Sequence, residues 1–232
     1  MMVGLNGNHR DGRPLRIELA GPAGAGKSAL SLSLVRQLNA APETIWGLPV
    51  LSLLWNGAQL IPTFSSLWLR SRSPLWHETR HMVRLRTLQR ALRRAGRHND
   101  EVLVFDEGPI FALAWLRGFG HETLRQQPSA EWWRTALREW ASLMDAVIVL
   151  DAPDELLADR IRARPHPHEV KGSPDHEIAC FMVRFRQALD WVLTEMARHG
   201  GPPVVRLSSQ WEPADRIAER VVRELSGMSH GC

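Results

Sequence analysis

The chain has 232 residues, 44% of them hydrophobic, enough to bury one sizeable core, and its formal charge of +4 is carried by arginine because Lys27 and Lys171 are its only lysines. Cys180 and Cys232 make no disulfide framework, no opening stretch has the form of a signal peptide, and the longest apolar run, residues 48–55, is too short to span a bilayer. These features argue against a disulfide-stapled secreted domain and a membrane-spanning protein, and a reducing cytoplasmic compartment is expected.

Residues 1–14 are polar and glycine-rich with little to bury, so they read as a flexible leader. A strand is expected from Leu15 to Ala20 and a helix from Lys27 to about Leu38. Between them, Gly21-Pro22-Ala23-Gly24-Ala25-Gly26-Lys27-Ser28 fits G-x-x-x-x-G-K-[ST], a phosphate-binding loop in its proper setting of strand before and helix after. Triphosphate oxygens need many N–H donors at short range, and a loop of small residues lets the backbone curl around them. Lys27 is placed to reach the outer phosphates as a mobile point charge, and the Ser28 hydroxyl to sit on the bridging magnesium ion. With Ala29 in the first helical turn, Gly21 to Ala29 is the candidate nucleotide-binding segment.

Residues 43–76 carry a dense apolar patch broken by Gly47 and Pro49, and both a strand near Ile45 and a buried helix from Pro49 fit it. Trp46, Trp55, Trp68 and Trp76 suit core packing or, with Arg70, Arg72 and Arg80 nearby, the lining of an acceptor pocket. From Glu78 to Ala95 the spacing of Met82, Leu85, Leu88 and Leu92 predicts an amphipathic helix, ended by Gly96, whose other face bears Arg84, Arg86, Arg90, Arg93 and Arg94. No aromatic residues interleave with those arginines, so they read as a solvated face and argue against nucleic acid as a partner.

Residues 101–105 read as a strand buried on both faces, ending in Asp106 and Glu107. A carboxylate at the end of a strand beside a phosphate loop holds the magnesium shell, which makes Asp106 the candidate metal ligand; Glu107 is placed to polarise an attacking hydroxyl or water. Ser129 is expected to cap a helix over residues 130–144, followed by a buried strand over 146–151 and a helix opened by Pro153. Residues 165–174 cannot continue that helix. A long helix follows to Gly200, then a strand over 203–207, a closing helix over 213–225, and a flexible tail over 227–232. Alternating strand and helix imply a parallel sheet with helices on both faces, and a ligand beyond the carboxyl ends of the strands where Gly21 to Ser28, Asp106 and Asp151 converge.

The chain resembles the P-loop kinases of small molecules, most of all the branch that contains deoxynucleoside kinases and thymidylate kinase. The phosphate loop is the first feature that carries the resemblance. The second is Arg160-Ile161-Arg162-Ala163-Arg164 leading to Glu169, like the lid of that family, and the third is Ala188-Leu189-Asp190-Trp191 in the long helix. The resemblance spans about residues 15–225 and implies an α/β three-layer P-loop NTPase fold, a five-stranded parallel sheet in one domain over 15–226, and a short lid over about 160–173. It implies ATP and Mg2+ as cofactors, Arg160 and Arg164 as lid residues that contact the adenine and the transferred phosphoryl group, and Ser208, Ser209 and Trp211 near the base. Two departures stand out. Glu107 occupies the place where those kinases typically carry an arginine, and only Glu43 is available for their carboxylate after the second strand.

The leading expectation is therefore an ATP-dependent kinase acting on a hydroxyl or phosphate of a small molecule, possessing Lys27, Asp106, Glu107, Arg160 and Arg164 as its catalytic set, with Asp106 or Glu107 as base. A P-loop ATPase coupling hydrolysis to a conformational or assembly step is the alternative, since Asp106-Glu107 after an apolar strand suits water activation. No asparagine precedes a lysine, so no N-K-x-D guanine reader is present. The identity of the acceptor and pairing into a homodimer are left open by the sequence.

Overall fold

The computed structural model describes residues 13–72, 75–94, 102–125, 130–165 and 167–229. Five parallel strands, β1 (Leu15–Ala20), β2 (Ala41–Glu43), β3 (Val102–Asp106), β4 (Ala146–Asp151) and β5 (Val204–Ser208), lie in the order β2-β3-β1-β4-β5. β1 is central, and the apolar runs of β3 and β4 flank it because both faces of these strands are covered. Leu19 pairs with Asp106 and Ala20 with Val149, so the segment leaving β1 emerges between the carboxyl ends of β3 and β4. The order of connections reverses there, and a parallel sheet leaves a crevice at such a point.

Helices α1 (Lys27–Leu38), α8 (Asp154–Ala163) and α10 (Ala214–Ser229) pack on one face around Ile17, Leu30, Ile148, Leu157 and Val221. Helices α4 (Trp76–Arg94), α5 (Pro109–Phe119) and α7 (Ala130–Leu143) cover the other around Phe105, Leu85, Leu113 and Trp140. The long α9 (Asp175–Ala197) serves both. Its Ile178 and Met182 enter the first cluster, and its Phe185, Leu189 and Val192 the second. Each such buried large side chain contributes about 1.5–3 kcal/mol.

The expected strand near Ile45 forms earlier, as β2, and the chain from Pro49 is helical: α2 (Val50–Gln59) and α3 (Ile61–Ser71), parted at Leu60. That helix is not the buried one expected. Residues 45–69 contain no charged side chain, so apolar groups occupy every face, and Val50, Leu51, Leu54 and Trp55 remain exposed while Phe64 and Leu67 go inside. α5 and the short α6 (Glu122–Arg125) had no counterpart in the sequence reading. The closing helix runs to Ser229, past the expected start of the tail at Gly227. Ala95, Gly96, Ser129, His166 and most of the leader fall outside the described residues.

Candidate active site

The loop after β1 owes its shape to glycine. Gly21 lies at φ 138°, where a Cβ would stand 2.0 Å from the Leu150 carbonyl oxygen, and Gly24 at φ 84° would bring one within 2.8 Å of the Leu157 oxygen. Gly26 begins α1 with no side-chain cap, so the first N–H groups and the positive end of the helix dipole face the loop's interior. Lys27 is buried, and its Nζ donates to the carbonyls of Gly21 and Pro22, both at 2.9 Å. Burial lowers its pKa from the ordinary lysine value, against the pull of the Asp106 and Glu107 carboxylates toward the charged form. Ser28 and Ala29 are exposed at the mouth of the loop.

Asp106 ends β3 and shares one cavity of about 710 Å³ with Gly21, Gly24, Lys27 and Ser28. Its Oδ1 is buried and has no hydrogen-bond partner. Such an atom is costly unless something meets it. A lone carboxylate oxygen sharing a cavity with a serine hydroxyl suits Mg2+, a hard cation that takes one or two protein oxygens and fills its shell with phosphate and water. Among the described residues no cluster of three His, Cys, Asp or Glu could hold a metal without such outside ligands.

Glu107 follows with a left-handed backbone, φ 57°, unusual for a glutamate. Its Oε2 accepts from Trp46 Nε1 at 2.7 Å, and its carbonyl from the Ile45 N–H at 3.3 Å. Beneath this turn the fully buried Glu18 of β1 accepts the N–H groups of Ile110 and Phe111 at 2.9 and 2.8 Å, capping α5 from below. Gly108 leaves it room, for a Cβ there would stand 2.8 Å from the Glu18 carboxylate.

Arg160, Arg164, His168 and Glu169 also line the cavity. Arg160 is held to the loop side: its guanidinium donates to Ser209 Oγ and Ser209 O, each at 2.9 Å, and to the Gly24 carbonyl at 3.3 Å. Arg164, on the turn after α8, makes no ion pair through its guanidinium among the described residues. Ser209 is buried under Arg160, whereas Trp211 is 84% exposed and lies off the cavity lining. Asp151 is occupied, since Arg186 of α9 binds both its oxygens at 2.8 and 3.0 Å.

Beyond Glu107 the cavity continues between Trp46, α4 (His77, Arg80, His81), α5 (Phe111, Trp115) and α9 (Phe181, Phe185). His81 stacks on Trp115 with centroids 4.4 Å apart and meets Trp46 edge-on at 5.5 Å. Burial lowers the His81 pKa against the hydrogen bond to the His77 carbonyl, and Arg84 and Arg80 lower it further. Glu43, at the end of β2, is not on the lining.

No family model and no curated protein matches the sequence. Solved structures do match in shape. A deoxyadenosine kinase from M. mycoides, with products dCMP and a flexible dCDP bound, superposes with a TM-score of 0.56 over 92% of this chain and 100% of its own, at 13% identity. The same kinase with dATP bound gives 0.55 at 14% identity, over 91% of this chain and 99% of that one. The YorR protein from Bacillus subtilis, in complex with phosphorylated GDP, gives 0.52 at 15% identity, over 93% and 98%. The fold is that of the P-loop kinases.

Within this P-loop kinase fold, six lining residues of the far half, His77, His81, Phe111, Trp115, Phe181 and Phe185, were not singled out as site residues from the sequence. The signal for α5 was present in Gly108 before Pro109, an apolar run, and Arg117 in the last turn. Nothing local marks His81, which the fold brings to Trp46 across the intervening α2 and α3. No helix among the described residues is long and apolar enough to cross a membrane.

Proposed function

We propose that the protein is an ATP-dependent kinase that transfers the γ-phosphoryl group to a hydroxyl or phosphate of a small molecule. The observation that carries this reading is the division of one cavity into two halves, a polar one with Lys27, Ser28, Asp106 and Arg164 and an aromatic one with Trp46, Phe111, Trp115 and Phe185, which meet at Glu107. A machine that only hydrolyses ATP has no use for the second half.

In the polar half, the loop N–H groups and the α1 dipole bind the phosphates of ATP, and Lys27 exchanges its two loop carbonyls for phosphate oxygens. Ser28 and Asp106 would hold Mg2+, which when bound neutralises charge on the phosphate chain. Arg160, fixed against Ser209 and the loop, forms a wall at the nucleotide end. Arg164 supplies a guanidinium for the charge spread over the transferred group, and the turn that carries it with His168 and Glu169 excludes water. The acceptor oxygen bonds to phosphorus as the bond to the ADP oxygen breaks. Its proton passes to a carboxylate, Glu107 or Asp106.

The test is incubation with γ-labelled ATP and magnesium against nucleosides, nucleotides, sugars and hydroxylated ring acids, scored by label uptake. ADP release without uptake by any compound assigns the chain to hydrolysis instead. Lys27→Ala should abolish ATP·Mg binding by calorimetry, and unchanged affinity overturns the placement of the triphosphate.

A further inference from the structure

Among the described residues, the far half of the cavity carries only two formally charged side chains, Glu107 and Arg80. Arg80 makes no ion pair and donates no side-chain hydrogen bond among the described residues. One helical turn on, Arg84 is in the same condition apart from a long bond of 3.5 Å to the Arg80 carbonyl, and its Nε is buried without a partner. Both guanidiniums lie on the Trp46 ring, with centroid distances of 5.1 and 4.8 Å. Other arginines of this chain do meet acids, as Arg13 does Asp145, Arg186 Asp151 and Asp154, and Arg220 Glu212, whereas Arg80 lines the cavity with none beside it among the described residues. Two like charges at i and i+4 repel, and the exposed Arg80 meets water where the ring contact leaves its donors free, so an anion can take the place of that water.

Resting on the kinase reading above, we propose that Arg80, backed by Arg84 across Trp46, binds an anionic group of the phosphoryl acceptor, which is a ring compound with a hydroxyl at one end and a carboxylate or phosphate at the other.

The ring lies among Phe111, Trp115 and Phe185, where flat apolar surface is available. Its hydroxyl faces Glu107, whose Oε1 makes no hydrogen bond among the described residues while Oε2 is held by Trp46. Its anion faces the guanidinium, which offers a planar fork matched to carboxylate or phosphate. An acceptor that covers the exposed Arg80 displaces its water, and a neutral one offers no charge in exchange. Trp46 links the two ends, since one indole supports the arginines on its face and fixes Glu107 by its edge.

Matched probes separate the possibilities: 4-(hydroxymethyl)benzoate against 4-(hydroxymethyl)benzamide, and thymidine 3′-monophosphate against thymidine. Each pair is followed both by binding, through quenching of tryptophan fluorescence, and by label uptake from ATP·Mg. The anion of at least one pair should bind roughly ten- to a hundred-fold more tightly than its neutral partner. Arg80→Gln should bring that ratio toward one and Arg80→Lys should restore part of it, with ATP affinity reporting on the fold of each variant. The pair that shows the preference tells carboxylate from phosphate. Equal binding within both pairs, no binding of either anion at millimolar concentration, or a ratio untouched in Arg80→Gln overturns the subsite. These outcomes do not depend on transfer. Anion binding that needs Arg80 but is never followed by label uptake sinks the kinase reading and leaves the subsite standing.

Discussion

The Trp46 indole donates to the Glu107 carboxylate at 2.7 Å, and the N–H of the preceding residue, Ile45, donates to the Glu107 carbonyl at 3.3 Å. Glu107 is thus gripped through side chain and backbone by one short segment after β2. The grip offsets a left-handed conformation that costs a non-glycine residue roughly 1–2 kcal/mol. It also aims one carboxylate oxygen while leaving the other unbonded among the described residues. Trp46→Phe keeps the ring under Arg80 and Arg84 but deletes the donor. The expected result is a fall in kcat of about three- to tenfold, the loss of one solvent-accessible hydrogen bond to a carboxylate, with a smaller change in the KM for the acceptor. Steady-state kinetics on the accepted compound decides it. A change confined to KM removes Trp46 from the orientation of Glu107.

The strands nearest the site were legible because β3 and β4 are apolar runs ended by acids and β1, though it carries Arg16 and Glu18, runs straight into a loop whose glycines announce their own geometry. The acceptor half was not. The uncharged stretch over residues 45–69 has no polar alternation to fix which face turns inward, and the α2–α3 pair leaves Leu51 and Leu69 more than four-fifths exposed. Nor does the sequence say that Arg160 will be taken up by Ser209, or Asp151 by Arg186, because those partners meet only through the tertiary fold. Asp106 was legible as an acid at a strand end; that its Oδ1 stays unmet is information only the coordinates hold.

Glu18 ties stability to pH. Burial raises its pKa to about 8, against the three backbone N–H groups of Ile110, Phe111 and Gly108, from an ordinary value of 4.5. Between those limits the folded state holds a proton that the unfolded chain has lost, so this group makes stability fall as pH rises, by up to about 1.4 kcal/mol per pH unit, and levels off above 8. Glu18→Gln removes that titration. It also turns an amide N–H toward the α5 N-terminus, which costs about 1–3 kcal/mol. Urea unfolding at pH 5, 6.5 and 8 should show a shallower decline in the variant, and an identical slope refutes the assignment.

Asp106 illustrates a site held ready at a cost. Its Oδ1 is buried and unpartnered, and its charge is one of the influences that raise the Glu18 pKa. Asp106→Asn removes the repulsion, so the ligand-free variant should be more stable by about 0.5–2 kcal/mol. Transfer should fall by at least about a hundredfold, and the magnesium concentration for half-maximal rate should rise. Thermal melts with a magnesium titration of the rate test both arms together. A destabilised variant with normal magnesium dependence removes Asp106 from the metal.

Gly21 is the position where the loop tolerates least. A Cβ there meets the Leu150 carbonyl oxygen at 2.0 Å, far inside van der Waals contact, and φ 138° is strained for any L side chain. The obstacle is the backbone of β4, which is hydrogen-bonded to β1 and β5 and cannot step aside without breaking the sheet. Gly21→Ala should therefore destabilise the fold by about 3 kcal/mol or more, lowering the melting temperature by several degrees. Gly26→Ala is the internal comparison, because its Cβ would meet nothing closer than 3.9 Å and its cost is that of the left-handed φ alone. Equal losses of stability in the two variants show that backbone conformation, and not collision with Leu150, is what reserves Gly21 for glycine.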